Sequence, residues 1–155
     1  MANVAQLVRA SVCGTGCRGF KSLHSPHLHI KFIFLFMMMI RITIDGHPFE
    51  MQMTQTQAES QKGLMFVDKM DDDKGMVFPI NPQIEPSFWM KNTLIPLDLL
   101  FVDKDHKITH IVKSARPLSL KHLKGPKGTH YVIEVNGGLT DKMNIDIGDK
   151  VGGLK

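Results

Sequence analysis

The chain has 155 residues, of which 43% are apolar and 22% charged, a composition typical of one globular domain. Four of the 19 basic residues and no acidic residue lie before residue 41, so the remaining 15 basic residues match the 15 acidic ones. This balance argues against nucleic-acid binding, which needs clustered Lys and Arg, and the absence of cysteine after position 17 excludes a disulfide or Cys-based zinc site there.

The first part of the chain, residues 1–36, shows no apolar periodicity. It resembles the translation of a transfer-RNA gene, since Val4–Ala10 can be back-translated into the D-arm consensus and Gly19–Ser22 into the TΨC-arm consensus. A zinc site here would need a folded frame, which the segment does not offer. Its ligands would be Cys13, Cys17, His24, His27 and His29.

We therefore expect residues 1–38 to be a non-native or disordered extension and residues 39–155 to form a single β domain. Translation from Met37–Met39 would give a cytoplasmic protein. The alternative is a secreted or membrane-anchored form, with Phe32–Ile40 as the apolar part of a signal peptide behind Lys31. That run is far below the ~20 residues needed to span a bilayer, and no small-residue cleavage site follows it.

The first predicted elements are a hairpin and a short helix. Ile40–Asp45 and Phe49–Thr54 alternate apolar and polar residues, as half-buried strands do, and Asp45-Gly46 between them is a hairpin turn signal. Thr56–Glu59 fits a capping box, which predicts a helix at about 57–63 that a glycine ends.

The rest of the chain is predicted to consist of short strands between turn residues. Strands are expected at 75–78, 87–93, 97–103, 107–113, 131–136 and 145–151. A loop is expected at 117–128, with a helical turn at 119–123, and a second short helix at 139–144. This spacing predicts a mainly β fold, a compact antiparallel barrel or sandwich with one or two short helices.

Four motifs carry a resemblance to the domain of unknown function 192 family, small prokaryotic proteins with no established activity. They are Gly63-Leu-Met-Phe66, Gly75-Met-Val-Phe78, Phe88-Trp-Met-Lys-Asn-Thr-Leu-Ile-Pro-Leu-Asp98 and Glu134-Val-Asn-Gly-Gly138. The resemblance covers about residues 41–151 and implies a mainly antiparallel β fold with one or two short helices. Where many members have an arginine, this chain has Val67-Asp68, and where many have a cysteine it has Pro117-Leu-Ser-Leu.

Asp98 interrupts the apolar run of the strand predicted at 97–103, whose other polar residue is the terminal Asp103. Leu97, Leu99 and Phe101 share one face of that strand, and Asp98 shares the other with two apolar residues. We therefore expect Asp98 to be at least partly buried and paired. It either accepts hydrogen bonds that fix a turn or serves as a general base or ligand anchor.

The Trp89 segment is the second candidate. Lys91, Asn92 and Thr93 beside the chain's only tryptophan could line a pocket for a polar or anionic ligand. In the structural alternative, Trp89 and Met90 belong to the core, the lysine reaches to water and the other two residues shape a turn.

Glu134 and Asn136 lie on the opposite face of their predicted strand from Tyr131, Ile133 and Val135. Glu134 could pair with Asp98 for acid–base chemistry or cation binding, although nothing in the spacing shows that they meet. Two histidines, His106 and His110, are four residues apart but lie on a predicted strand and its preceding turn, which excludes a helix-face metal site. We therefore expect surface positions for the histidines of this part of the chain. They are His47, His106, His110, His122 and His130.

The sequence thus favours a small binding module with a candidate pocket, and predicts no metal, cofactor or nucleic acid. The pocket residues are Trp89, Lys91, Asn92, Thr93, Asp98, Glu134 and Asn136. The alternatives are a hydrolase or lyase that uses Asp98 and Glu134 as acid and base, and a structural or protein-interaction domain. An unknown small-molecule ligand is the expected partner.

Overall fold

A computed structural model describes residues 38–155, and its first two strands form the predicted hairpin. β1 (Met38–Ile44) and β2 (His47–Met53) pair antiparallel. The turn residues Asp45 and Gly46 have φ of 46° and 81°, which a tight hairpin turn requires. The extension expected at residues 1–38, with its zinc alternative, lies outside the described residues except for Met38, which is part of β1.

The short helix α1 (Gln57–Lys62) begins at the predicted capping box. The Thr56 hydroxyl accepts a hydrogen bond from the Glu59 amide at 3.2 Å, and the Glu59 carboxylate accepts one from the Thr56 amide at 3.1 Å. Gly63 ends the helix with φ of 47°, a conformation that glycine adopts without strain. These contacts satisfy amide groups that the first helical turn leaves free.

The remaining elements are seven strands and a second short helix. They are β3 (Lys74–Pro79), β4 (Ser87–Phe88), β5 (Leu97–Val102), β6 (Ile108–Ala115), β7 (Leu123–Lys124), β8 (Tyr131–Asn136), α2 (Leu139–Met143) and β9 (Val151–Gly152). Seven strands form one sheet in the order β6-β5-β8-β3-β2-β1-β9, and β4 pairs with β7 in a separate ribbon. The large sheet curls into a half-barrel, which confirms the predicted mainly β fold.

One strand pair of the sheet is parallel rather than antiparallel. β2 and β3 run in the same direction, with Met51 opposite Gly75. The connection between them spans residues 54–73 and contains α1. This connection is long enough to return the chain to the same end of the sheet.

Three segments differ from their predicted structure. Residues 89–93 form a turn instead of continuing a strand, because Asn92 adopts a left-handed conformation with φ of 56°. A helical turn is expected from the sequence at residues 119–123. The last residue of this segment, Leu123, instead belongs to β7, which pairs with β4. The strand predicted at 145–151 is reduced to β9, since Gly148 turns the chain with φ of 103°.

The sheet is buried on both faces, so the described residues have two apolar cores. The first core contains one alternate set of β8 side chains, Ile133 and Val135, together with buried residues of the hairpin. The second core contains Val132 of β8 and Leu97, Leu99 and Phe101 of β5, among others. These faces agree with the predicted alternation of residues 97–103 and 131–136.

Candidate functional site

A cleft of about 700 Å³ lies on the second-core side of the sheet. It is lined by α1 and the residues after it, by the end of β3 and by the segment 84–89. Phe78 and Phe88 form an aromatic part of the wall, with their rings edge to face at 5.2 Å between centroids. The cleft has the size and the largely apolar lining of small-molecule sites.

Glu134 is the buried acidic residue in the lining of this cleft. It lies in β8, opposite Met76 of β3 and Leu99 of β5, both in the second core. Its exposed fraction is 6%, and its carboxyl group forms no hydrogen bond to another described residue. Among the described residues no side-chain oxygen or nitrogen is sealed from solvent without a partner, so the Glu134 carboxyl group must open into the cleft that it lines.

Burial changes the protonation of this carboxyl group. Transfer from water into the apolar second core penalises the charged form and raises the pKa of Glu134 from its ordinary value of 4.5 to about 8. At pH 7 the group is therefore mainly a neutral carboxylic acid, which can donate one hydrogen bond and accept others.

Trp89 lies at the rim of the cleft, not in the core, with 44% of its surface exposed. The imidazole of His122 stacks on the indole at 6.1 Å between centroids and 27° between planes. The Lys91 ammonium lies 5.2 Å from the indole centroid, within cation–π range. Ser87 Oγ lies 2.9 Å from His122 Nδ1, so these side chains form one polar and aromatic rim.

Thr93 lines the cleft, whereas Asn92 shapes the turn beside it. Thr93 is buried, and its amide donates to the Met90 carbonyl at 3.1 Å. The Asn92 carbonyl accepts a hydrogen bond from the Phe66 amide at 2.8 Å, in keeping with the structural alternative for this residue. Of the predicted pocket residues, Trp89, Thr93 and Glu134 therefore line the cleft.

Asp98 lies on the opposite face of the sheet from Glu134. It is fully buried, and its two oxygens accept hydrogen bonds from the Ser114, Gly138 and Thr140 amides and from the Thr140 hydroxyl, at 2.7–3.0 Å. This carboxyl group thus caps the first turn of α2, for which Gly138 supplies no side chain. The structure does not bring Asp98 and Glu134 together, which removes the geometric basis of the predicted acid–base pair.

Asn136 lies outside the cleft and holds a loop. Its amide nitrogen donates to the Met70 carbonyl at 2.8 Å and to the Asp72 carboxylate at 3.0 Å. Asp72 also pairs with Lys142 at 2.7 Å. These contacts give Asn136 a structural role between β8 and the connection that leads into β3.

Sequence reasoning missed the Ser87–His122 contact. The two residues are 35 positions apart, and only the pairing of β4 with β7 brings them together. In residues 38–155, no group of three or more His, Cys, Asp or Glu side chains is arranged to hold a metal ion. Within the same range, no helix is long and apolar enough to cross a membrane.

Comparison with protein families gives a match to DUF192, described as an uncharacterised ACR family, over residues 40–153. A UPF0127 protein from Thermococcus sibiricus is 29% identical over 90 residues. The match covers 58% of this chain, and the chain spans only 56% of the length of that relative.

Two solved structures are similar to this chain. A protein of unknown function from Novosphingobium aromaticivorans is 39% identical with a TM-score of 0.70, over 73% of this chain and 84% of its own. A protein from Sinorhizobium meliloti, described as a candidate transcription regulator, is 29% identical with a TM-score of 0.72, over 76% of this chain and 95% of its own.

Replacement of Asp98 is expected to destabilise the protein strongly. Asp98→Ala would leave the buried amide and hydroxyl of Thr140 and the part-buried amides of Ser114 and Gly138 without their acceptor. Each buried group left unpaired costs about 1–3 kcal/mol, so we expect a loss of more than ~3 kcal/mol in the free energy of unfolding. Chemical denaturation measures this loss. The control is Asp103→Ala, which removes a carboxyl group that accepts from the Asp105 and Lys107 amides in an exposed turn and should cost less. Equal costs would contradict the anchoring role of Asp98.

Replacement of Trp89 is expected to have a small effect on stability. Because the indole is half exposed, Trp89→Ala should cost less than ~2 kcal/mol, whereas a core tryptophan would cost about 3–5. Met90→Ala is the matched control, since Met90 is buried in the second core and should cost about 2–5 kcal/mol. A larger loss for Trp89 than for Met90 in urea denaturation would place the indole in the core.

Replacement of Glu134 is expected to alter how stability depends on pH. The folded-state pKa of Glu134 is raised, so the folded protein holds this proton more tightly than the unfolded chain and loses stability as pH rises from 4.5 to about 8. Glu134→Gln cannot ionise and should be more stable than the parent at pH 9, by at most about 5 kcal/mol, with little difference at pH 4.5. Glu85→Gln, at an exposed carboxyl group of the same cleft, is the control. A pH-independent difference between Glu134→Gln and the parent would oppose this assignment.

Proposed function

The chain belongs to the DUF192 family of uncharacterised proteins, and we propose that it is a binding module whose cleft takes a small organic molecule. The ligand has an apolar body and carries a carbonyl or carboxylate oxygen that accepts a hydrogen bond from Glu134. The apolar body lies against Phe78, Phe88 and Trp89, which line the cleft.

The observation that carries this proposal is the buried Glu134 carboxyl group without a protein partner among the described residues. Burial of a polar group without a hydrogen bond costs free energy, and buried polar groups in folded proteins are therefore nearly always paired. Asp98 on the neighbouring strand obeys this rule with four hydrogen bonds. Glu134 instead opens into a cleft large enough for a ligand, where an oxygen atom of the ligand could replace water as its hydrogen-bond partner.

The chemistry of the cleft supports an acceptor group on the ligand. With its pKa raised to about 8, Glu134 is a hydrogen-bond donor at neutral pH, as a carboxylic acid in an apolar site can be. Lys62 also lines the cleft and favours a negatively charged end of the ligand there. Glu85, the other carboxyl group in the lining, lies 3.7 Å from the Lys124 ammonium, which offsets its charge.

The contact between Ser87 and His122 favours a second candidate function, the hydrolysis of an ester. A serine hydroxyl 2.9 Å from an imidazole nitrogen is the arrangement in which histidine can activate a nucleophile. Among the described residues, however, no carboxylate forms a hydrogen bond or ion pair with His122, so the third member of a catalytic triad is missing there. Binding is therefore the better supported function, and the neutral charge balance of residues 41–155 gives no support to a nucleic-acid partner.

The test is a thermal-shift and calorimetric screen against aliphatic and aromatic carboxylates, amides and ketones at pH 6 and pH 9. A ligand at 100 times its Kd adds about 2.7 kcal/mol to stability, which should raise the midpoint by several degrees. The parent protein should bind at pH 6 and lose affinity at pH 9, because Glu134 then carries a charge and no proton to donate.

Two variants make the screen specific. Glu134→Gln keeps a donor and should bind equally at both pH values, whereas Glu134→Met has none and should bind at neither. Asn136→Ala, outside the cleft, should retain the pH profile of the parent. Ligands that bind the Met variant as tightly as the parent, or a panel without any ligand, would contradict the proposal. Ester hydrolysis that Ser87→Ala abolishes would favour the second candidate.

A further inference from the structure

Three loops meet beside the cleft and form one surface, here called the three-loop surface: residues 64–68, 89–95 and 116–121. Backbone hydrogen bonds connect them directly. The Phe66 amide donates to the Asn92 carbonyl at 2.8 Å, and the Leu118 amide donates to the Thr93 carbonyl at 3.1 Å. The loops are therefore held in fixed positions relative to one another.

Large apolar side chains project from this surface into solvent. Phe66 and Leu120 have exposed fractions of 68% and 65%, and Leu94 and Leu118 are also exposed. Scattered single residues of this kind are ordinary, but a cluster on adjoining loops is characteristic of an interaction site. The cluster comes from each of the three loops and not from one frayed segment.

Two of these exposed side chains belong to residues whose backbone conformation is energetically unfavourable. Phe66 and Leu118 have φ of 65° and 61°, in the left-handed region that bulky residues rarely occupy. Both amides nevertheless donate good hydrogen bonds to the central loop, so the conformation is built into the fold. Strained bulky residues of this kind cluster at functional sites.

The charge of the surface is positive. The three loops contain three cations, Lys91, Arg116 and Lys121, and one exposed acidic residue, Asp68, so their net charge is +2. All three cations are exposed, and none forms an ion pair with a described residue. In Arg116-Pro-Leu-Ser-Leu-Lys121 the two basic residues stand at the two ends of the segment that carries the exposed leucines.

We propose that the three-loop surface binds the face of an anionic lipid bilayer. The exposed Phe66, Leu118 and Leu120 side chains would enter the boundary between headgroups and acyl chains, and the neighbouring cations would contact lipid phosphates. The combination of exposed apolar side chains with cations that form no ion pair fits an anionic lipid surface, where acyl chains contact the apolar groups and lipid phosphates contact the cations. With few inserted side chains the binding would be reversible and sensitive to salt.

The test is sedimentation of the full-length protein with phosphatidylcholine vesicles, with and without phosphatidylglycerol. We expect binding to the anionic vesicles only, with a loss of at least about tenfold when the ionic strength rises from 0.05 to 0.5 M. The double variants Leu118→Ser/Leu120→Ser and Arg116→Gln/Lys121→Gln should each weaken binding by at least about tenfold. All four positions are exposed, so folding should be preserved.

The control is Ile147→Ser/Lys150→Gln. It removes an equally exposed apolar residue and a cation near the opposite end of β6 and should bind as the parent does. Vesicle binding that survives in both loop variants would come from another part of the chain and would overturn the proposal. Absence of vesicle binding would overturn it as well. So would a dimer in analytical ultracentrifugation that the loop variants dissociate, because a second copy of the chain would then occupy the three-loop surface.

Discussion

The fold depends on the set of hydrogen bonds that the Asp98 carboxyl group accepts inside the sheet. Donors from Ser114 in β6 and from Gly138 and Thr140 at the start of α2 meet on this one group, which lies between them in β5. The contacts fix β5 between β6 and β8 and thereby the register of β8. A shift of that register by one residue would move every β8 side chain to the other face, and Glu134 would leave the cleft.

Two carboxyl groups on neighbouring strands thus have opposite roles. Asp98 has its hydrogen bonds satisfied by protein donors, and nothing is left for a substrate to contact. Glu134 lies among apolar side chains, opens into a cleft of ligand size and has its pKa raised by burial to about 8. The same physical rule, that a buried polar group needs a partner, makes the first residue an anchor and the second the centre of a candidate binding site.

Local patterns in the sequence were sufficient to predict the hairpin, the capping box at Thr56 and the two faces of β5 and β8, because each depends on neighbouring residues. They did not predict the parallel pairing of β2 with β3, which depends on how a 20-residue connection crosses the sheet. Of the residues proposed from the sequence, Trp89, Thr93 and Glu134 line the cleft, but the strand expected through residues 89–93 is a turn. The Ser87–His122 contact and the desolvation of Glu134 arise from segments far apart in the chain, so no spacing could have indicated them.

Glu134 is expected to be a neutral acid at physiological pH, and its titration can be observed directly. Carbon-13 NMR of protein labelled at the glutamate side-chain carboxyl groups follows each residue from pH 3 to pH 10, and Glu134→Gln identifies the signal. We expect a midpoint near 8 for Glu134. A midpoint near the ordinary value of 4.5 would mean that the group is hydrated and charged, and the cleft would lose the donor on which the proposed function rests.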